Sequence, residues 1–354
     1  VGPVHHPWRN GGGLGEIPQG RFFLILRRST MPDHTLRYLS RSDVESLAIP
    51  MDDVIEAVEG ALREKGLGTA EMPPKPGVHP LQDAFIHAMP AFLSGAKAAG
   101  LKWVSGFPQN PDRGLPYISG LFVLNDVETG LPLAVMDCTW ITGMRTGAAS
   151  GVAARYLARP DSRTAGIVAC GLQGRTNLEA LSCLFPLERV HAFDIDPAIS
   201  RAYAEEMHEK LGLEVVPVDR AEDAVREMDL VVTSGPILKN PTPSIPAGWL
   251  APGSFACPLD FDSYWTGEAL AETDKLATDD HAQLDYYRTV GYFGQTPAPY
   301  ADLGEIVVGA APGRESAEER TMSVNLGLAI EDVATARLIY LRALAGGVGV
   351  DLPL

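Results

Sequence analysis

The chain is poor in three things: cysteine, long apolar runs and positive charge. Its 354 residues include four cysteines, Cys138, Cys170, Cys183 and Cys257, with no C-x-x-C pair and no histidine at zinc-finger spacing from any of them. This excludes a disulfide framework and a cysteine zinc site, and the four read as reduced, buried, small apolar residues of a cytoplasmic protein. No apolar run approaches the roughly 18 residues that a membrane helix needs. Lysine and arginine total 29 against 45 aspartates and glutamates, for a net charge of −16 and a pI of about 4.9. Such an acidic surface repels phosphate backbones and anionic headgroups, so neither nucleic acid nor a membrane surface is an expected partner. An anionic substrate needs a local cationic pocket in this chain.

What is present is ordinary globular material: 45% hydrophobic residues and a mean hydropathy near zero. At roughly 100–200 residues per domain the length suggests two domains, each with its own core. Residues 1–30 stand apart. VGPVHHPWRNGGGLGEIPQG has no periodicity, and FFLIL at 22–26 is too short for a signal peptide and precedes no small-residue cleavage site. Periodic sequence starts near Met31, which makes Met31 a candidate start and 1–30 an irregular extension.

Ser42-Asp43 and the following VESLAIPMDDVIEAVEGALREKG predict one helix, with Val54, Ile55, Val58, Ala61 and Leu62 on one face and Gly66-Leu67-Gly68 ending it. Then come short strands, AFIHAMPAFL, LKWVSGF and YISGLFVLNDVETGLPLAVMD, with a hairpin turn at Glu128-Thr129-Gly130. Residues 139–158 are rich in small residues and read as helix. From Thr164 the period changes: the strands TAGIVACG, RVHAFDID, EVVPVD and DLVVTS alternate with the helices NLEALSCLF, PAISRAYAEEMHEKLG and AEDAVREM. Alternation at these lengths means βαβ units and a parallel sheet, so the fold class is α/β. Residues 325–347 predict one amphipathic helix ended by glycines, and GGVGV at 346–350 a helix end and tail.

Ala169-Cys170-Gly171-Leu172-Gln173-Gly174 follows an apolar strand and opens a helix. In a G-x-G-x-x-G turn the glycines permit a tight bend and let backbone N–H groups approach a pyrophosphate at the helix N-terminus. Gly171 and Gly174 fill the second and third positions, and Ala169 replaces the first. Asp194 ends the next strand, where a carboxylate accepts hydrogen bonds from the adenosine ribose and repels a 2′-phosphate, so NAD is favoured over NADP. Asp196 competes for that role, but before Pro197 it reads better as a helix cap. Gly171, Gln173, Gly174, Asp194, Thr233 and Ser234 form the expected cofactor-binding set.

The segments KWVSGFPQNPDRGLPYISGLFVLNDVETGLPLAVMDCTWITGMRTGAASGVAARYLARPDS, GLQGRTNLEAL, FDIDPA, PGSFACPLDFDSYW and GRESAEERTMSVNLGLAIEDVATA resemble the ornithine cyclodeaminase/mu-crystallin family. The resemblance covers about residues 35 to 340. It implies a homodimer, with a Rossmann-type domain at 146–314 inserted in an α+β substrate-binding and dimerisation domain at 31–145 and 315–354. It also implies hydride transfer between the substrate α-carbon and a nicotinamide ring, through an iminium. Lys102 matches the family's catalytic lysine, Arg145 its carboxylate-gripping arginine and Asp262 the aspartate beside the substrate amine. Lys75 stands where cyclodeaminases carry a second carboxylate-binding arginine. An acidic protein that binds an α-carboxylate needs such a cationic spot, in which Arg145 can clamp bidentately and Lys75 offers a point charge. Asp260 rivals Asp262: in an extended strand both would face the same side.

His87, in FIHAMP, stands where ornithine cyclodeaminases carry a glutamate for the distal amine, and a neutral imidazole attracts no ammonium. It is either a substrate-side contact or a structural strand histidine. Phe255 replaces a family histidine and Asp260 a glycine near the cofactor; Phe255, Trp140 and Tyr264 point to a substrate of aromatic or apolar character. The first expectation is therefore an NAD-dependent amino-acid dehydrogenase or imino-acid (ketimine) reductase. An ornithine- or lysine-type cyclodeaminase with internally recycled NAD is second, and a non-catalytic, mu-crystallin-like binding protein third. No constellation for a catalytic metal or for a Ser or Cys nucleophile is present.

Overall fold

A computed structural model describes residues 34–354, so the expected extension over 1–30 and the candidate start at Met31 lie outside the described residues. In chain order the elements are β1 (Thr35–Leu39), α1 (Arg41–Ser46), α2 (Met51–Gly66), β2 (Ala70–Glu71), β3 (Gly77–Val78), β4 (Phe85–Leu93), β5 (Ala98–Gly106), β6 (Ile118–Asn125), β7 (Pro132–Asp137) and α3 (Thr139–Leu157). Next come β8 (Thr164–Val168), α4 (Leu172–Leu184), β9 (Arg189–Phe193), α5 (Pro197–Leu211), β10 (Glu214–Pro217), β11 (Leu230–Thr233), β12 (Phe255–Pro258) and α6 (Gly267–Ala271). The last are β13 (Lys275–Thr278), α7 (His281–Thr289), β14 (Ala301–Asp302), α8 (Leu303–Val307), β15 (Thr321–Val324), α9 (Ala329–Gly346) and β16 (Val350–Pro353).

The first sheet runs β16-β1-β7-β6-β5-β4-β2, with β3 also on β4, and is antiparallel except where β1 meets β7. Alternation fixes its faces. Met89, Lys102, Val104 and Phe122 point inward, where α9 and α2 pack, while Trp103 and Leu121 on the outer face are 48% and 45% exposed. The second sheet is wholly parallel, in the order β10-β9-β8-β11-β12-β15-β13-β14. Its central strands LVVT, FACP and TMSV are buried at every residue, as strands covered on both faces must be. The order reverses between β8 and β11, and such a switch point opens a crevice at the carboxyl ends of the strands.

Several expectations change. Pro50 splits the predicted first helix: α1 stops at Ser46, Ala48 adopts a left-handed φ of 44°, and α2 starts at Met51. Ser40 caps α1, in a capping box with Asp43. AEDAVREM forms only a 3₁₀ turn, Ala221–Ala224, because Glu227 takes a left-handed φ of 59°. The last helix begins at Ala329, and the tail pairs as β16 with β1. The boundary at 145/146 falls inside α3, and β15 lies beyond the boundary at 314 yet sits between β12 and β13 of the second sheet. Cys183 is exposed, whereas Cys138, Cys170 and Cys257 are buried and free as expected. No helix among the described residues is long and apolar enough to cross a membrane.

Candidate functional site

Helix α3 is buried from Gly143 to Ala154 because its glycines, alanines and serine leave room for α4 and α2 to approach. A charge inside such a helix must be paired. Arg145, 7% exposed, donates from Nε to Asp332 Oδ1 at 3.1 Å and from Nη1 to Glu331 Oε2 at 3.0 Å. Lys102, inward on β5 and 1% exposed, donates to the same Asp332 Oδ1 at 2.8 Å. Lys75, between β2 and β3, donates to the carbonyls of Leu326 (2.7 Å) and Gly327 (3.4 Å), with its Nζ 5.3 Å from the Tyr287 ring centre. Asp279, at the end of β13, accepts the N–H groups of Leu326 (2.7 Å) and Gly327 (2.6 Å). Gly327 holds a left-handed φ of 81°, and a Cβ there would lie 2.9 Å from Arg145 Nη2. The turn before α9 therefore joins Lys75, Asp279 and Arg145.

The expected cations thus meet, and the structure adds the carboxylates of Asp279, Glu331 and Asp332, each 0% exposed. Sequence reasoning missed them because acids in the first turn of a helix, or beside its cap, read as complements of the helix dipole. Burial pushes Lys75 down to about 7, with Arg145 adding to the effect and Asp279 opposing it. Burial pushes Asp279 up to about 8, as does Glu331. Lys102 is lowered by burial against the pull of Asp332. Burial also works against the charge on Arg145, but Asp332 and Glu331 outweigh it and raise its pKa. Among the described residues Arg145 Nη2 has no hydrogen-bond partner, and the buried oxygens Asp279 Oδ1, Glu331 Oε1 and Asp332 Oδ2 have none either.

His87 is half-buried on the inward side of β4, stacked on Phe85 with ring centres 4.3 Å apart. Burial lowers it to about 3, helped by Lys75 and His79, so it is neutral at physiological pH. Asp260 and Asp262 do not share a strand face: β12 ends at Pro258, and Phe261 between them has a left-handed φ of 60°. Asp260 is fully buried and accepts from Thr233 Oγ1 (3.2 Å) and the Gly235 N–H (3.3 Å); burial raises it to about 7. Asp262 is half-buried, also raised by burial, and lines a cleft of about 350 Å³ with Tyr292, Trp265, Gln295 and Lys239. It forms no ion pair with the buried cations among the described residues. Phe255 is wholly buried within β12, where it packs in the apolar core.

At the switch point, Gly171 is the N-cap of α4 with no side chain capping the helix, and a Cβ placed on it meets nothing within 4 Å. Gly174 is tight: a Cβ there would lie 2.7 Å from the Ala169 carbonyl oxygen and 3.1 Å from Ile167. Ala169 replaces a glycine yet keeps a left-handed φ of 75°, so the bend survives the substitution. Asp194 accepts the Cys170 N–H at 2.9 Å and the Asp196 N–H at 3.1 Å, which ties it to the turn. Asp196 caps α5 through the Ala198 N–H (2.8 Å), as expected. Ser234 Oγ donates to the Ala169 carbonyl (3.1 Å), whereas the Thr233 hydroxyl is buried between Asp260 and Trp265. Gln173 donates to the Thr142 carbonyl at 3.4 Å, just before Arg145 on α3. The open first turn, the close glycine and the anchored carboxylate fit a dinucleotide.

Comparison with known proteins supports these features together. The chain is 39% identical over 320 residues to alanine dehydrogenase of Archaeoglobus fulgidus, covering 88% of this chain and 96% of that protein. The structure of Thermococcus litoralis Δ1-pyrroline-2-carboxylate reductase, in complex with NADH and L-proline, matches with a TM-score of 0.81 and 37% identity over 90% of this chain and all (100%) of that one. An archaeal alanine dehydrogenase dimer with bound NAD matches with a TM-score of 0.81 and 36% identity over 91% of this chain and 100% of the other. The model of the ornithine cyclodeaminase/mu-crystallin family matches residues 36–347, and the chain belongs to that family.

Proposed function

We propose that the protein is an NAD(H)-dependent oxidoreductase of a small amino or imino acid. The observation that carries this reading is the junction on α3: Gln173 of the glycine turn reaches Thr142, and Arg145, three residues further on, enters the buried cluster of Lys75 and Lys102. Gly171, Gln173, Gly174, Asp194, Thr233 and Ser234 form the cofactor cradle, with pyrophosphate on the uncapped start of α4 and ribose on Asp194. Bound there, the dinucleotide supplies a hydride acceptor for an amino acid or a hydride donor for an imino acid. Arg145 Nη2 and the spare protons of Lys102 Nζ receive the substrate carboxylate, and Lys75 adds charge beside them. Asp262, raised by burial, holds the nitrogen and takes or returns its proton. Neutral His87 walls the side-chain end and offers nothing to a distal ammonium, which favours open redox chemistry over cyclisation of a diamino acid.

An isotope experiment tests this directly. NADH deuterated at its transferable position, incubated with a cyclic imino acid such as Δ1-pyrroline-2-carboxylate, is expected to give an amino acid labelled at the α-carbon. Turnover without label at that carbon overturns the reading.

The pH dependence has a worked sign. Rising pH removes the proton of Lys75 near about 7 and ionises Asp279 near about 8, so both steps make the pocket more negative. KM for the carboxylate substrate is expected to rise at least ~10-fold between about pH 6.5 and about pH 9, a loss near ~1.4 kcal/mol. Lys75→Met should flatten the first part of that rise in a steady-state titration, and a flat wild-type profile contradicts the assignment.

The outer face of the first sheet carries Tyr38, Leu101, Trp103, Leu121, Val123 and Val135, where an antiparallel sheet facing water normally shows polar side chains. This face is the proposed homodimer interface, and the region N-terminal to α3 together with α9 is the substrate half. The double variant Trp103→Glu, Leu121→Glu should run as a monomer in light scattering after gel filtration, against a dimer for the wild type. A variant that stays dimeric moves the interface elsewhere. The three buried free thiols suit a reducing, cytoplasmic compartment.

A further inference from the structure

Asp332 is the one atom group on which both proposed carboxylate-binding cations rest. Its Oδ1 accepts Lys102 Nζ at 2.8 Å and Arg145 Nε at 3.1 Å, and its Oδ2 is buried without a partner among the described residues. Three elements far apart in sequence meet there: β5, α3 and the first turn of α9. Among the described residues Glu331, one residue earlier, accepts only from Arg145 Nη1 (3.0 Å) and the Leu328 N–H (3.1 Å), so it braces the guanidinium but forms no hydrogen bond with Lys102.

Two cations forced onto one carboxylate oxygen inside a protein is an arrangement that burial alone opposes. The groups facing Lys102 explain what holds it. From α9 comes Asp332; from α3 and its start, Arg145 and Cys138; from β4, His87; and from the loop before β3, Lys75. Arg145 and Lys75 push the ammonium toward losing its proton, Cys138 and His87 are neutral at physiological pH, and among the described residues Asp332 alone hydrogen-bonds it. Taking up Nε and Nη1 of Arg145 leaves Nη2 as the free edge of the fork, and taking one proton of Lys102 leaves the others.

Resting on the oxidoreductase reading above, we propose that Asp332 is a positioning residue that keeps Lys102 protonated and turns Lys102 and Arg145 together toward the substrate carboxylate. It touches neither substrate nor cofactor and acts through the two cations. Burial and Arg145 lower Lys102, and Asp332 is the main group opposing them, in agreement with the geometry.

The chain has only seven lysines, so carbon-13 labelling at the lysine ε-carbon gives a sparse NMR spectrum in which Lys102→Met identifies the signal of Lys102. In the wild type that signal is expected to be an ammonium at neutral pH, and a neutral amine there overturns the proposal without any variant. In Asp332→Asn the titration midpoint should fall by at least about 1 pH unit, a shift worth ~1.4 kcal/mol. Asp332→Glu should restore part of it, and Glu331→Gln should move it less. The alkaline limb of kcat/KM should move with the midpoint, with KM rising more than kcat falls. An unmoved midpoint in folded Asp332→Asn refutes the positioning role. A shifted midpoint in a protein that turns over no amino or imino acid refutes the oxidoreductase reading and leaves the role of Asp332 standing.

Discussion

Lys102→Ala is expected to lower kcat at least ~10³-fold while the dissociation constant for NADH changes less than about threefold. The argument is spatial. Lys102 lies on the inward face of β5 in the first sheet, whereas the glycine turn and Asp194 stand at the switch point of the second. Removing the ammonium takes away a carboxylate donor and a proton source, and leaves Asp332 with Arg145 Nε as its partner. A buried carboxylate that loses one of two cationic partners also costs stability, of order 1–3 kcal/mol, so Lys102→Met, which keeps the packing, is the control. Steady-state kinetics with fluorescence titration of NADH checks both halves. Loss of NADH binding in either variant contradicts the separation of the two sites.

Asp194→Ala is the second large effect. A carboxylate that accepts ribose hydroxyls contributes roughly 1.5–3 kcal/mol, so NAD affinity should fall ~10–100-fold. Asp194 also accepts the N–H groups of Cys170 and Asp196, so the turn itself loosens, and a simple loss of shape would weaken NAD and NADP alike. The discriminating quantity is therefore the ratio. Removing a negative charge that repels a 2′-phosphate should narrow the preference for NAD over NADP by at least ~10-fold. An unchanged ratio, measured by titrating both reduced cofactors, would move the ribose role to another group.

How far the sequence carried these conclusions depended on the kind of signal. Alternating strands and helices from Thr164 onward and the glycines at 171 and 174 were legible because local periodicity and backbone permissiveness are properties of short segments. The expected cations, Lys75, Lys102 and Arg145, were legible through resemblance, and the fold brings them together. Asp279, Glu331 and Asp332 were not, since an acid at a helix start looks the same whether it faces solvent or a buried arginine. The role of β16 was hidden too: VDLP is only four residues long and ends in proline, too little pattern to announce a strand, and its partner β1 lies some 310 residues earlier. The split at Pro50 was readable, because proline disfavours helix at the residue before it, and the apolar periodicity that continues on both sides obscured it. Placing β15 in the second sheet needed tertiary information, because a buried parallel strand in TMSV is too short to assign to one sheet or the other.

The central claim is net hydride exchange at an amino- or imino-acid α-carbon, and near-ultraviolet absorbance of NADH tests it most directly. Purified protein is given NAD with a panel of amino acids, then NADH with cyclic imino acids, while ammonia release is followed in parallel. The account predicts sustained formation or consumption of NADH with at least one carboxylate substrate, abolished in Lys102→Ala. Ammonia release from ornithine or lysine without net change in NADH would make the protein a cyclodeaminase and contradict the account. Tight binding of NADH with no turnover in either direction would contradict it as well, and would leave a binding protein.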